Sequence, residues 1–380
     1  MSGPAQTGGD RERTLSAERS KGPARPPTIE DVAQAAGVSR ALVSLVIREQ
    51  PNVSEKRRRR VLDAIAQLGY RPNAMARSLA SRRTRVVGVV LDDLRNPFFA
   101  DIAAGIEQLA AEAGYQLLFA SGGRDPARES NAVDALLEYR VDGIILVSPR
   151  LPAADIVRTS AEVPMVVTGR EVRGAGASFV VTNERAGVEQ VLDHLVGLGH
   201  SQLALVGAGQ WAGGVQRRIC YTRGMKQRGL EHHIQLIHGD ATEEAGRRAA
   251  HELLEAETLP TAIFAGNDLM AVGVLGALNQ AGVAVPEEIS IVGYDNISLA
   301  DFAHMSLTTV DQPRLEIGRV ALELLLDRIG GVQARTTRRI EPTLVVRSTT
   351  GPPRGDTAPT KAPDLTSQAR RAGATKRLVA

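Results

Sequence analysis

The chain has 380 residues, which is too long for one ordinary hydrophobic core, so two or three domains are expected. Its single cysteine excludes a disulfide framework and favours a reducing compartment. No apolar stretch reaches membrane-spanning length, and residues 1–28 lack the apolar core of a signal peptide. These features predict a cytoplasmic protein.

The basic residues are concentrated at the two ends of the chain. The net charge is +3 overall, but residues 1–85 carry +9 and residues 351–380 carry +4, which leaves −10 for residues 86–350. This asymmetry favours a polyanionic partner for the N-terminal part alone. The outermost segments, residues 1–25 and 351–380, are polar and lack apolar periodicity, so both are predicted to be disordered tails.

Residues 26–72 show three short helical patterns. The first begins after Thr28, a good N-cap residue followed three positions later by Asp31. The second lies in "GVSRALVSLVIREQ", where Gly37 ends one helix and Ser39 caps the next. The third begins near Ser54, and four of its residues are expected to point inward: Val61, Leu62, Ile65 and Leu68.

The second helix has an apolar stripe and a separate polar face. The stripe consists of Leu42, Val43, Val46 and Ile47. The face left over carries Arg40, Ala41, Ser44, Leu45 and Arg48. Two helices joined by a Gly-containing turn, the second with a basic polar face, indicate a helix-turn-helix. A small helical bundle without DNA-binding activity is the alternative, but it gives no reason for the cationic face.

In a helix-turn-helix the start of the second helix enters the major groove most deeply. Arg40 is therefore predicted to contact a guanine edge, and Ala41 and Leu45 are predicted to pack on thymine methyl groups. Four further arginines are predicted to contact phosphates: Arg48, Arg57, Arg58 and Arg59.

From Arg85 onward, short runs rich in Val, Ile and Leu alternate with segments of helical periodicity. The runs are "VVGVVL" (86–91), "YQLLFA" (115–120), "GIILVS" (143–148), "PMVVTG" (164–169), "QLALVG" (202–207), "TAIFAG" (261–266) and "ISIVGYD" (289–295). This alternation predicts α/β architecture with open, mostly parallel sheets covered on both faces. The length favours two lobes with a cleft between them.

Residues 28–84 closely resemble one family of bacterial transcription regulators. The segments "DVAQAAGVS" and "VSEKRRRRVLDAIAQLGYRPNAMARSL" match the DNA-binding domain and hinge of the lactose/galactose repressor family, and the similarity continues through residue 350. The resemblance implies five segments: a tail (1–25), a helix-turn-helix domain (26–72), a hinge helix or linker (73–84), a two-lobed core similar to periplasmic sugar-binding proteins (85–350) and a second tail (351–380).

The resemblance also implies a set of DNA contacts. In the hinge, which is expected to become helical on DNA, Leu79 is expected to wedge into the minor groove and bend the duplex. The whole expected set is Thr28, Ser39, Arg40, Ala41, Ser44, Leu45, Arg48, Arg58, Asn73, Arg77 and Leu79. The recognition helix departs from the family's usual "TVSRVLN" and reads "LVSLVIR" (42–48), so the preferred operator is expected to differ.

In the core, the effector is expected to bind where parallel strands end. "RRICYTRGM" (217–225) matches a family motif that places Arg217 at an effector-contacting position, with Cys220 where Gly is usual. The expected effector-binding residues are Asn96, Phe98, Phe99, Asp125, Arg217, Asn267, Asp268 and Asp295. Aromatic rings beside Asp, Asn and Arg suit sugar hydroxyls, although plain core packing of the phenylalanines and helix capping by Asn267 and Asp268 are open alternatives.

No cofactor, metal or catalytic site is expected. "GAGQWA" (207–212) fits a dinucleotide-binding pattern, but a single match of this kind is weak and the segment aligns with a cleft loop of the repressors. The histidines have no metal-ligand spacing, and no nucleophile and base stand at a motif-like spacing. The chain is therefore not expected to be an enzyme.

The sequence as a whole predicts a homodimeric repressor that binds a near-palindromic operator and responds to a small-molecule effector, expected to be a carbohydrate. Two other classes stay open: a sugar-binding protein without DNA regulation, and an enzyme built on the same core. The chain is expected to cross between lobes near residues 182, 310 and 340.

Overall fold

The computed structural model describes residue 25 and residues 27–48, 50–70, 83–209 and 211–354. The chain forms two compact units, here named the head (Met1–Thr84) and the body (Arg85–Ala380). The predicted hinge contacts Asn73, Arg77 and Leu79 lie outside the described residues.

Capping residues set several of the helix ends in the head. The helices are α1 (Ile29–Ala36), α2 (Arg40–Ile47) and α3 (Glu55–Leu68). At the start of α1, the Thr28 hydroxyl accepts the Asp31 amide at 3.4 Å, and the Asp31 carboxylate accepts the Thr28 amide at 2.7 Å. Ser39 accepts the Leu42 amide at 3.3 Å at the start of α2. Between them, Gly37 adopts a left-handed conformation (φ 60°) that ends α1. These ends agree with the sequence prediction.

The three helices share a small apolar core of Val32, Ala33, Ala36, Val43, Val46, Val53, Val61 and Ala64. Two residues predicted to point inward do not: Leu62 is 50% exposed and Leu68 is 38% exposed. Helices α1 and α2 have only eight residues each. They therefore cover only the side of α3 that carries Val61 and Ala64, and the prediction for the two leucines was wrong.

The described residues of the body form two six-stranded sheets. The first, in spatial order, consists of β2 (Gln116–Ser121), β1 (Val86–Leu91), β3 (Gly143–Val147), β4 (Met165–Thr168), β5 (Ser178–Thr182) and β11 (Thr337–Ile340). The second consists of β7 (Ile234–Ile237), β6 (Leu203–Val206), β8 (Ala262–Ala265), β9 (Ser290–Asp295), β10 (Thr308–Asp311) and β12 (Thr343–Val345). All neighbours pair in parallel except β10 and β12.

Helices cover both faces of each sheet. They are α4 (Pro97–Ala113), α5 (Pro126–Glu138), α6 (Ala153–Glu162), α7 (Glu184–Gly197), α8 (Ala212–Gln227), α9 (Glu243–Glu255), α10 (Asp268–Gln280) and α11 (Arg314–Ile329). Because both faces are covered, the central strands β1, β3, β8 and β9 are almost wholly buried. This architecture confirms the predicted fold class.

The two sheets define two lobes that exchange segments of the chain. Lobe 1 comprises residues 85–182 and 312–340, and lobe 2 comprises residues 183–311 and 341–354. The chain therefore crosses between lobes at 182–183, 311–312 and 340–341, close to the three predicted places.

Five strands were absent from the sequence prediction: β5, β7, β10, β11 and β12. All five lie at or next to a sheet edge. β11 reads "TRRI", and three of its four residues are exposed. An edge strand needs little apolar sequence because only part of its surface is buried, so apolar runs alone do not reveal it.

Hydrogen bonds and an ion pair engage residues 351–354, which lie just past the predicted start of the second tail. The Gly351 carbonyl accepts Nε2 of His200 at 2.9 Å, its amide donates to the Ser290 hydroxyl at 3.0 Å, and Arg354 pairs with Glu288 at 2.6 Å. These contacts fix residues 351–354 on lobe 2. Among the described helices, none is both long and apolar enough to cross a bilayer.

Candidate functional site

One side of helix α2 faces the solvent. Arg40, the first residue of the helix, lies on this side. Val43 and Val46 are buried on the opposite side, whereas Arg40 and Ala41 are exposed and Leu45 is 38% exposed. The predicted division of this helix into an inner and an outer face is therefore what the fold produces. The exposed residues on the outer face are Arg40 and Ala41 in the first turn of α2 and Leu45 in the next turn.

Hydrogen bonds restrict some of the side chains predicted to contact DNA. Arg48 donates to the Ser44 hydroxyl through Nη2 at 2.6 Å, so it lies back along α2. The Thr28 hydroxyl donates to Asp31 at 2.7 Å, which ties it to the start of α1. Arg58 donates to the Gln50 carbonyl at 2.7 Å.

The arginine run at the start of α3 contains residues with different roles. Arg60 donates to the Ala36 carbonyl at the end of α1, at 2.5 Å, and so contributes to the packing of α3 on α1. Arg57 and Arg59 are exposed. Arg60 is exposed as well, but its guanidinium is engaged by α1, so Arg57 and Arg59 are better placed to contact a polyanion.

A cavity lies between the two lobes of the body, where parallel strands of both sheets end. It measures about 810 Å³ including its solvent-open mouth. Lobe 1 contributes Asp92, Asp93, Asn96, Phe98, Phe99, Ile102, Arg124, Ser148, Arg150, Thr168, Gly169, Val180, Thr182, Gln312 and Ile317. Lobe 2 contributes Glu184, Trp211, Ala212, Gly213, Arg217, Ala241, Asn267 and Asp295. We name it the cleft cavity.

Aromatic side chains reach the cleft cavity from both lobes. Asn96 accepts the Phe98 amide at 3.0 Å and so begins α4 at the cavity wall. The rings of Phe98 and Phe99 meet edge to face, with centroids 5.3 Å apart. Both rings also belong to the core of lobe 1. Trp211 stands on the lobe 2 side and donates through its indole Nε1 to the Gly239 carbonyl at 3.2 Å.

Arg217 is the most enclosed charged group of the cleft cavity. Its guanidinium binds Glu184 through two hydrogen bonds, Nε to Oε2 at 2.9 Å and Nη2 to Oε1 at 3.1 Å. Nη1 donates to the Gly266 carbonyl and lies 3.9 Å from Asp295 Oδ1. The ring of Tyr294 lies 3.7 Å from the guanidinium carbon, in cation–π geometry. Burial alone would disfavour the charge, and these partners stabilise it.

Asp295 lies at the end of β9 and is 4% exposed. Gln312 donates to its Oδ1 at 2.7 Å, and no described residue donates to its Oδ2. Burial raises the pKa of Asp295 to about 8, although the Arg217 guanidinium acts in the opposite direction. Asp295 also has a φ of 122°, which is uncommon for a residue other than glycine.

Asn267 lines the cleft cavity, but both ends of its amide are engaged. Its Oδ1 accepts the Met270 amide at 3.0 Å at the start of α10, and its Nδ2 donates to the Ala241 carbonyl at 3.2 Å. It is thus both a helix cap and part of the wall.

The structure does not bring Asp268 or Asp125 to the wall of the cleft cavity. Asp268 is wholly buried and accepts the Thr309 hydroxyl at 2.5 Å and the Ile297 amide at 2.8 Å, so its carboxylate joins elements within lobe 2. Burial raises its pKa to about 6. Asp125 caps α5 through the Ala127 amide at 2.8 Å. Both aspartates follow a predicted strand closely in the sequence. This position alone does not distinguish a residue that caps a helix or joins elements from one that lines the cleft cavity.

The sequence patterns did not indicate several of the lining residues: Asp92, Asp93, Arg124, Arg150, Glu184, Trp211 and Gln312. Asp92 and Asp93 directly follow β1, so the rule that ligands bind at strand ends applies to them as well. Glu184 and Gln312 instead lie next to the lobe crossings. The positions of the crossings were predicted, but no sequence motif indicated that these two residues line a cavity.

Hydrogen bonds also join the three crossings. The Thr182 hydroxyl donates to Gln312 Oε1 at 2.6 Å, and the Asn183 amide donates to Glu341 at 2.9 and 3.0 Å. Gln312 also donates a hydrogen bond to Asp295, which lines the cleft cavity. The cavity is therefore directly connected to the crossings between the lobes.

Comparisons with known proteins match both units. Residues 28–73 match the model of "Bacterial regulatory proteins, lacI family", and residues 192–350 match "Periplasmic binding protein-like domain". Catabolite control protein A of Priestia megaterium is 35% identical over 308 residues, which is 78% of this chain and 91% of that protein.

Solved structures are similar as well, and two of them illustrate the two units. The lac repressor dimer bound to operator and the anti-inducer ONPF has a TM-score of 0.78 and 28% identity, covering 86% of this chain and 100% of that one. A LacI family regulator from Enterococcus faecium with bound ribose has a TM-score of 0.65 and 28% identity, covering 71% of this chain and all of that one. With a head that exposes a recognition helix and a body with an interlobe cavity, the chain belongs to the LacI family of bacterial transcription regulators.

Proposed function

We propose that this regulator is a homodimeric repressor whose affinity for operator DNA is set by a sugar bound in the cleft cavity. The observation that carries the proposal is that one chain joins an exposed, arginine-led helix α2 to a cavity walled by both lobes. A ligand that prefers one arrangement of the lobes shifts the population of that arrangement. The lac repressor dimer on its operator is the structural precedent.

The chemistry of the cavity supports a sugar. A polyhydroxylated ring needs hydrogen-bond partners around an apolar surface. Asn96, Arg217 and Asp295 supply the former, and Phe98 and Trp211 supply the latter. The related regulator from Enterococcus faecium holds ribose.

In the head, we propose that Arg40, Ala41 and Leu45 contact bases, and that Thr28, Ser39, Ser44, Arg48 and Arg58 contact the backbone of the DNA or support those that do. The hinge positions Asn73, Arg77 and Leu79 complete the proposed set. The proposed role is regulatory rather than catalytic, and it is exercised in the bacterial cytoplasm, where promoters are accessible.

A gel-shift assay with the DNA upstream of the protein's own gene tests the proposal. The full chain is expected to bind this DNA at moderate salt, and a member of a sugar library is expected to change the affinity. A chain that begins at Arg85 is the control: it should keep sugar binding and lose DNA binding. If the full chain binds this DNA no better than random duplex, with or without sugars, the proposal is wrong.

A further inference from the structure

Every arginine that lines the cleft cavity is already bonded to a carboxylate of the protein. Arg217 is paired with Glu184 through two hydrogen bonds, at 2.9 and 3.1 Å. Arg150 is paired with Asp92 in the same two-pronged manner, at 2.8 and 3.2 Å. This geometry uses the side of the guanidinium that would otherwise bind a carboxylate or phosphate.

Arg124, the third arginine, is paired across the mouth of the cavity. It comes from lobe 1, and its Nη2 lies 2.9 Å from the carbonyl and 3.0 Å from Oδ2 of Asp240 in lobe 2. The acidic residue Asp93 is paired in turn with the exposed Arg95 at 3.0 Å. The lining thus consists of matched charges together with Asp295.

This balance determines which ligands the cavity favours. An anionic ligand gains no uncompensated cation there, and it meets the carboxylate of Glu184, whose side chain is 15% exposed. Repulsion between like charges is large where little water screens it. A neutral hydroxyl, by contrast, can accept from the remaining Arg217 N–H groups and can accept from or donate to Asp295 Oδ2, according to the protonation of that carboxyl, without displacing an ion pair.

We infer that the cleft cavity selects an uncharged polyhydroxylated ligand and rejects phosphorylated or carboxylated ones, with Glu184 as the specificity-determining residue. The inference rests on the proposed function, in which this cavity holds the effector. Glu184 is suited to the role because it is the first residue of α7, where the helix dipole stabilises a carboxylate. Removing its charge frees the two-pronged side of Arg217.

The chain carries a built-in reporter for the test. Trp211 is its single tryptophan, it lines the cleft cavity, and its ring lies 5.3 Å from the Arg217 guanidinium carbon. Tryptophan fluorescence of the full chain is therefore titrated with inorganic phosphate at constant ionic strength. The variants are Glu184→Gln and, as the matched control, Glu189→Gln. Glu189 lies on the same helix and pairs with Arg185 at 2.7 Å, but it does not line the cavity.

The wild type and Glu189→Gln are expected to show no saturable response to phosphate, and Glu184→Gln is expected to saturate with a Kd about tenfold or more below the highest phosphate concentration used. Saturable phosphate binding by the wild type, equal to that of Glu184→Gln, overturns the inference. If circular dichroism shows that Glu184→Gln is unfolded, Asp92→Asn, which frees Arg150, takes its place. A folded variant that gains no phosphate binding also overturns the inference.

A second arm uses matched sugars with the same fluorescence readout: neutral hexoses and pentoses, their phosphates and their uronic acids. The neutral member of a pair is expected to bind wild-type protein about tenfold or more tightly than its anionic partners. An anionic member that binds as well as its neutral partner overturns the inference. If no sugar binds at all, the proposed sugar effector is wrong, while the phosphate arm still decides whether Glu184 excludes anions.

Discussion

Arginine side chains act in three different ways in this protein. Arg40 stands exposed at the start of α2, Arg60 donates to the last carbonyl of α1, and Arg217 is buried between a carboxylate and two aromatic rings. The same functional group therefore contributes to recognition, to helix packing or to a ligand site, according to its exposure and its partners.

Replacing Arg40 with alanine is expected to weaken operator binding by about 1–3 kcal/mol while leaving binding to random duplex nearly unchanged, because base-edge contacts carry sequence preference. Arg59→Ala is the control, since this exposed arginine is expected to weaken binding to both DNAs and to reduce the salt dependence. Fluorescence anisotropy at several salt concentrations measures both. Equal losses on the two DNAs for Arg40→Ala would exclude a base-reading role.

At Arg217, the alanine variant is expected to lose about 3–5 kcal/mol of unfolding free energy, because Glu184 is left as an unpaired charge in a largely buried place. The double variant Arg217→Ala with Glu184→Ala should be less destabilised than the sum of the single variants. Urea unfolding followed by circular dichroism gives the three values. Additive losses would mean that the two side chains do not stabilise each other.

At the scale of elements, glycines allow pairs of helices to approach closely. A Cβ added to Gly105 of α4 would lie 2.1 Å from the carbonyl oxygen of Leu315 in α11. Likewise, a Cβ added to Gly318 of α11 would lie 2.1 Å from the carbonyl oxygen of Ile102 in α4. Each helix thus rests on the backbone of the other. Because α11 follows the second lobe crossing, its close packing on α4 attaches this later part of the chain to lobe 1.

Gly318→Ala is accordingly expected to destabilise the body by about 1–3 kcal/mol through overpacking. Gly276→Ala is the matched helical control: no described atom lies within 4 Å of its added methyl group. Its change is expected to stabilise the protein by about 0.5–1 kcal/mol, since alanine favours a helix. Thermal unfolding distinguishes the two. An unchanged midpoint for Gly318→Ala would contradict the close contact of α4 and α11.

The elements that the sequence predicts are those whose surroundings leave a local pattern. Buried strands such as β3 appear as apolar runs, and capped helices such as α1 show their cap residues. The edge strand β11 leaves no such pattern, and Leu62 belongs to a stripe that its short neighbours fail to cover. The extent of burial depends on the partner element, which a single segment does not encode.

The same reasoning applies to the cleft cavity. Arg217 and Asp295 could be predicted because each stands in a recognisable segment at a strand end or on the helix after one. The pairing of Asp92 with Arg150 joins residues that are 58 positions apart. Such a partner is fixed by the order of strands in the sheet, so spacing along the chain could not reveal it.

At the scale of the whole molecule, buried carboxylates make stability depend on pH. Because Asp295 has a pKa raised from 3.8 to about 8, the folded state retains a proton that the unfolded state loses at lower pH. The contribution of this group to stability is therefore greatest below 3.8 and falls as the pH rises to about 8. Above that value it is constant.

Asp295→Asn is expected to remove this part of the pH dependence. The unfolding free energy of the wild type should fall, relative to that of the variant, as the pH is raised through the same window. Urea unfolding of both proteins at a series of pH values measures the difference. A difference that does not vary with pH would show that Asp295 is already ionised throughout.

The three crossings between the lobes also affect the order in which the protein is made. Lobe 1 takes a helix from Arg314–Ile329 and an edge strand from Thr337–Ile340, so its first sheet cannot be completed until nearly the whole polypeptide has left the ribosome. The head has its three helices and their shared core once Leu68 has emerged. A nonsense codon anywhere between these points therefore yields a fragment that has the three helices of the head but lacks a complete cleft cavity.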